Sequence, residues 1–304
     1  MKQRVLLIIC TIIISLYQIR AQESSSELNQ NLEEYFAQVR NNPYSPMPGK
    51  DLYNENNTEK LLKKLPEYYV DTLPVIRNKA YYLTYKAGYK HPDSTIRKKA
   101  VYRLILALKD DDAGNVDNAA GWLTNFRTND FNDKAKDSLS TILHQNTPHI
   151  DKILKLSAFA GLTNQKTFIQ NNLKEGKFKT SSSKWAAYLA LARMGDPGAI
   201  EFVLRTAKNQ GVNDDYIYGI VPDLIYTRQK VIIDHVISIL QSEKKNCNTG
   251  NPNYPGKIQC GYRIMEYLAP VIKDYPLEVD SWGDLIADDY KKALESTRNW
   301  FTKQ

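Results

Sequence analysis

The stretch SKWAAYLALARMGDPGAIEFVLRTAKNQ, residues 183–210, decides the architecture. Trp185, Ala186, Tyr188, Leu189, Leu191 and Ala192 recur at helical spacing behind Ser183, which reads as a cap, and Gly195 ends that helix. Asp196-Pro197 is an N-cap followed by proline at the first helical position. Ile200, Val203, Leu204 and Ala207 then form a second apolar stripe. A joint of two or three residues forces two such helices antiparallel, as a hairpin.

The unit recurs along the chain. Shifted forward by 33 residues, Leu191, Ile200 and Val203 fall on Leu224, Ile233 and Val236. Shifted back by 34, Gly195, Ala192 and Phe202 fall on Gly161, Ala158 and Phe168. A period of 33–34 residues marks stacked helical hairpins. The predicted pairs are 73–88 with 94–109, 115–127 with 131–145, 149–160 with 164–174, 183–194 with 197–209, 215–227 with 229–243, and 262–273 with 284–302. Thr72 and Pro74 suit the start of the first of these helices, Gly88 its C-cap, and Asp93-Ser94 the start of the next. No strand-like alternation competes. The expected fold is all-α, an α-solenoid of about five to six antiparallel hairpins over residues 70–304. Ahead of it are expected a signal peptide over 1–21 and, over 22–69, a helix with the stripe Leu28, Leu32, Tyr35, Phe36 and Val39 and a Pro-rich linker through Asn41–Gly49.

Trp185 to Ile200 resembles the short HEAT-like repeat, in which an Ala/Leu helix ends in a Gly-Asp-Pro turn and a second helix opens with Ala-Ile or Ala-Val. Tyr216–Gln241 is similar in pattern, with Thr227-Arg228-Gln229 where the turn would be. That resemblance implies an α-solenoid that binds partners along a curved surface, and it implies no substrate.

Residues 1–21 follow the plan of a secretory signal. Lys2 and Arg4 precede an apolar run from Val5 to Tyr17, and Ala21 offers a small cleavage residue. The run is shorter than the roughly 20 residues a membrane span needs. An exported protein, periplasmic or secreted, is therefore expected. Its removal takes away Lys2, Arg4 and Arg20 and no acid, so the +7 of the full chain falls to +4. Lys63-Lys64, Lys98-Lys99, Lys244-Lys245 and Lys291-Lys292 are scattered pairs, not the clustered face of a nucleic-acid binder. Cys10 leaves with the leader, and Cys247 and Cys260, with twelve residues of a Gly/Pro-rich loop between them, remain as a disulfide candidate.

Chemistry-bearing motifs are few. Gly250 to Lys257 has the wrong glycine spacing for a phosphate loop. Ser181 to Lys184 fits Ser-x-x-Lys without the companion motifs of that enzyme class and reads as helix capping. His144 and His149 do not form a helical metal pair, and His235 reads as a packing histidine beside Asp234. Asp110-Asp111-Asp112 starts like a calcium loop, but Gly121 stands where the bidentate glutamate belongs. No catalytic residue, metal ligand or cofactor is assigned. Tyrosine is abundant, 20 in all, and Tyr81, Tyr85, Tyr216 and Tyr218 are the candidates for a binding surface. The expected function is a binding or scaffold module of the cell envelope that takes a protein or peptide partner, with a glycan as the other ligand class. The alternative is a helical-toroid enzyme acting on glycans through paired carboxylates, for which Glu201, Asp223 and Asp234 are the candidates.

Overall fold

The computed structural model describes residues 27–145, 147, 149–250, 256–280 and 283–304. The expected leader and Cys10 lie outside them. The described chain is mostly helical, and its only named strands are one short antiparallel pair among the described residues. It divides into two compact units, the first ending at Ala160 and the second beginning at Gly161.

In the first unit, helix α1 spans 27–41, and its stripe of Leu28, Leu32, Tyr35, Phe36 and Val39 is wholly buried. After the Asn41–Gly49 linker, and within the N-terminal region 22–69, lies a further helix that the sequence reading did not place, α2 (Glu55–Lys64), capped by the Asn54 side chain on the Asn57 amide. Then come α3 (Pro74–Gly88), α4 (Ser94–Ala107), α5 (Ala113–Leu123), α6 (Asp133–Leu143) and α7 (Ile150–Phe159). α3 packs on α4 and α5, α4 on α5 and α6, and both α5 and α6 on α7. Asp93, Asp112 and Asn132 accept backbone N–H bonds at the starts of α4, α5 and α6, satisfying amides that a helix start leaves without partners.

Gly88 plays a different part from the expected one. It lies inside α3, buried, where a Cβ would come within 2.2 Å of the Ala100 Cβ on α4. It permits close helix packing, and Lys90 supplies the left-handed residue with φ 60°.

Two arginines tie helix starts together. Each is the fourth residue of its helix, and each reaches a carboxylate 33 residues onward. Arg77 on α3 grips Asp110 through Nε (2.7 Å) and Nη2 (2.6 Å), while Nη1 donates to the Asp71 carbonyl. Arg97 on α4 grips Asp130 (3.0 Å to each oxygen), and its Nη1 donates to the His91 and Pro92 carbonyls. Both carboxylates are buried. The supposed calcium loop is thus a capping loop: Asp110 belongs to Arg77, and Asp112 caps α5.

The second unit contains α8 (Lys166–Lys174), α9 (Ser181–Arg193), α10 (Pro197–Lys208), α11 (Asp214–Gly219), α12 (Val221–Tyr226) and α13 (Lys230–Leu240). It ends with α14 (Gly261–Leu268) and α15 (Tyr290–Thr302). The α9–α10 hairpin matches the sequence reading: Gly195 has φ +77°, and the Asp196 side chain accepts from the Ala199 amide at 2.8 Å. The start of α9 is a capping box between Thr180 and Ser183, so Ser183 serves the helix end. The helix expected at 215–227 is broken into α11 and α12, because Pro222 sits in the first turn of α12. The closing helices are shorter than expected.

A short ladder was not anticipated. β1 (Lys245–Asn248) pairs antiparallel with β2 (Lys257–Gln259), with a bulge between Lys245 and Cys247. The sulfurs of Cys247 and Cys260 lie at disulfide distance, with their Cα atoms 5.2 Å apart and both residues buried. Asp214 holds the strand end by accepting from the Asn248 amide (2.9 Å) and Nδ2 (2.6 Å).

Candidate functional site

The tyrosine pairs split between inside and outside. On α3, Tyr81 is 5% exposed and turns inward, donating its hydroxyl to Asp110 Oδ2 at 2.9 Å and meeting Tyr69 at 5.0 Å between ring centroids. Burial, then the Asp110 charge, push the Tyr81 hydroxyl well above its ordinary pKa. Tyr85, one turn further along the helix and about 40° round from Tyr81, is half-buried. On α11, Tyr216 is 2% exposed and its hydroxyl lies 3.0 Å from His235 Nε2, whereas Tyr218 is 54% exposed. Burial raises Tyr216 to about 12 and, with Lys208 as a lesser cause, lowers His235, so this pair is a packed polar contact.

Around Tyr85 the first unit assembles an aromatic cluster from two helices. Tyr85 is near-parallel to Tyr89 (5.1 Å, 22°) and to Trp122 of α5 (5.8 Å, 11°). Tyr82 meets Trp122 at 5.6 Å and 67°, and the buried Phe126 meets Tyr85 and Tyr89 edge-on from below. Tyr82, Tyr85, Tyr89 and Trp122 are each half-buried, so the cluster is packed underneath and open above. The Asn125 side chain donates to the Tyr85 hydroxyl at 3.2 Å. The ammonium of Lys86 lies 5.8 Å from the Tyr82 ring centroid, and that of Lys90 lies 5.1 Å from that of Tyr89. Burial first, then Tyr89 and Tyr82, raise the Tyr85 hydroxyl, while Asn125 opposes them, so it is a neutral donor at any physiological pH.

Trp122 is the member that residue-by-residue reading missed. It lies 37 residues after Tyr85, one repeat plus one helical turn, so the period itself held the signal.

A cleft of about 680 Å³ opens on the inward side of α3, between Tyr69, Val70, Arg77, Tyr81, Leu106 and Asp110. Among its lining groups Arg77, Asp110 and Tyr81 answer one another in one network, and Asp71 pairs with Arg40. The three carboxylates considered for glycan chemistry also have partners: Glu201 lies 3.8 Å from Arg205, Asp223 accepts from Trp185 Nε1 at 2.7 Å, and Asp234 accepts from Lys230 at 2.8 Å. Among the described residues no group of His, Cys, Asp and Glu is arranged to hold a metal ion, and no helix is long and apolar enough to cross a membrane.

No protein-family model matches the chain, and no curated protein matches it.

Proposed function

We propose that this protein is an exported binding module of the cell envelope, built in each unit from HEAT-like helical hairpins, and that its partner docks on the α3–α5 aromatic cluster. The solenoid reading is supported by the alternating packing of α3 to α7 and by the recurrence of Arg-to-Asp pairs at an offset of 33, the period of the sequence repeat. Export is supported by the leader-like composition of residues 1–21 and by the Cys247–Cys260 pair.

The observation that carries the docking site is the half-open group Tyr82, Tyr85, Tyr89 and Trp122. Tyrosine and tryptophan supply large contact area at small entropic cost and dominate interface energetics. The stacking also bears on the class of partner. Sugars bind aromatic side chains through open ring faces, and here the faces of Tyr85 are turned to Tyr89 and Trp122. The central ring thus offers its edge and hydroxyl, with the Lys86 and Lys90 ammonium groups nearby, which suits a protein or peptide surface.

The test is affinity capture from envelope extract with the wild-type chain and with a Tyr85→Ala/Trp122→Ala variant of matching helical content. An envelope protein retained by the first and lost from the second supports the reading. Equal retention by both moves the docking site elsewhere. Release by soluble glycan oligomers puts the glycan class first.

A further inference from the structure

The spacing and the donors of the same cluster bear on the backbone it receives, and this step rests on the docking site proposed above. We propose that the α3–α5 aromatic cluster takes a proline-rich segment in the polyproline II conformation. Its pyrrolidine rings pack against Tyr82, Tyr89 and Trp122, and its backbone carbonyls accept from the Trp122 indole N–H and the tyrosine hydroxyls.

Three observations converge on this. The first is spacing. Tyr82 and Tyr89 stand at i and i+7 on α3, on one face of the helix and about 10 Å apart along its axis. One turn of a polyproline II chain takes three residues and about 9 Å, so a segment running along α3 brings prolines of one side to both tyrosines. Trp122, 5.6 Å from Tyr82 and 5.8 Å from Tyr85, widens that aromatic surface from α5. The second is hydrogen-bonding capacity. Among the described residues the Trp122 indole N–H and the hydroxyls of Tyr82 and Tyr89 are engaged in no hydrogen bond. Asn125 donates to the Tyr85 hydroxyl, which leaves that group's own proton to donate. A polyproline II backbone has no internal hydrogen bonds and holds out its carbonyls, and proline brings no N–H that needs an acceptor in return. A helical segment keeps its carbonyls in its own backbone bonds and leaves the indole N–H unanswered. The third is preorganisation. The tyrosines and Trp122 hold one another in contact above the buried Phe126, and a polyproline II segment is itself preformed, so little ordering remains to be done on either side.

The experiment titrates the full chain with three neutral fluorescent peptides of equal length: one rich in proline, one with serine in place of every proline, and one rich in alanine that forms a helix. The expected result is binding of the proline-rich peptide, with each of the others weaker by about ten-fold or more. Trp122→Phe keeps an aromatic ring and removes the N–H, and is expected to weaken the proline-rich peptide by about five-fold, the scale of one hydrogen bond. Trp122→Ala is expected to weaken it by about thirty-fold, the scale of an interface hot spot. Both variants are used at helical content matching the wild type. Equal binding of the proline and serine peptides, both weakened by Trp122→Ala, overturns the proline selection and leaves the docking site standing. Binding of the proline-rich peptide that is indifferent to Trp122→Ala overturns both. Failure of every peptide to bind, or preference for the helical one, overturns the proline selection, and capture from envelope extract then decides the docking site separately.

Discussion

Arg77 and Arg97 in the first unit and Arg193 in the second each reach a residue 33 positions onward, yet they find different chemistry there. The first two sit at the starts of α3 and α4 and fork onto the buried carboxylates of Asp110 and Asp130. Arg193 is the last residue of α9; its Nη1 donates to the Tyr226 carbonyl, and its guanidinium lies 4.7 Å from the Tyr226 ring centroid. The shared offset equals the 33-residue period read in the sequence. The difference lies in what stands against the guanidinium. In the first unit a carboxylate does so and fixes the helix starts against each other. In the second, the Arg193 guanidinium meets a carbonyl dipole and a π-face, and burial lowers the Arg193 pKa. The same offset therefore spans two joints of different surroundings.

Breaking the first kind of joint gives the largest effect. Asp110→Asn keeps the size of the side chain but leaves the Arg77 charge buried without its counter-ion. Removing one partner of a buried pair costs about 3–5 kcal/mol. Hydrogen exchange resolved along the chain is expected to show that loss across α3–α5, with the second unit's protection unchanged. A loss within about 1 kcal/mol, the scale of an exposed pair, contradicts the comparison. The double variant Arg77→Met/Asp110→Leu is expected to recover most of the loss, since an apolar pair of similar volume removes both charges together.

The second kind of joint is milder. Arg193→Met keeps most of the aliphatic stem and loses the bond to the Tyr226 carbonyl and the contact with its ring. The expected cost is about 1–2 kcal/mol, read as faster exchange at the α9–α12 contact. A cost as large as that of Asp110→Asn removes the distinction between the units.

These joints explain which parts of the molecule were legible in advance. The α9–α10 hairpin could be read because its signals are local: Asp196 caps α10, Pro197 opens it, and Gly195 turns the chain with φ +77°. The rung from Arg77 to Asp110 needed the offset of 33 before either residue acquired meaning. The same holds for Trp122 beside Tyr85. Tyr81 illustrates a subtler loss. α3 carries apolar or aromatic residues on most of its circumference, so no stripe marks its inner side, and one residue's rotation, about 100°, separates inward Tyr81 from outward Tyr82. The ladder of β1 and β2 was hidden for a different reason. Strands of four and three residues are too short for alternation to register, and tertiary contacts, including Asp214 on Asn248, hold them.

Acid sharpens the comparison further, with a smaller effect of opposite sign in the two units. Burial tends to raise the Asp110 carboxyl, but the Arg77 fork, the Asp112 amide and the Tyr81 hydroxyl outweigh it and hold it below its usual 3.8. Its stabilisation is present above that value and is lost as pH falls through the depressed pKa. In the second unit, burial raises the Glu266 carboxyl above its usual 4.5. Asp284 adds to the rise, while Arg263, 3.8 Å away, and a hydrogen bond with Tyr290 oppose it. A raised carboxyl binds its proton more tightly in the folded state, so its contribution is greatest below the unfolded pKa and declines as pH rises through the folded one. Glu266→Gln removes that titration while keeping an acceptor for Tyr290. Thermal unfolding from about pH 4 to pH 7 is expected to show the variant gaining on the wild type as pH rises. Glu266 is partly exposed and solvent screens it, so the gain stays below the roughly 2 °C that 1 kcal/mol produces in a chain of this size. A variant that instead loses ground toward neutral pH means that the ionised Glu266 is stabilising through Arg263, which gives the second unit a charge joint of the same kind as the first.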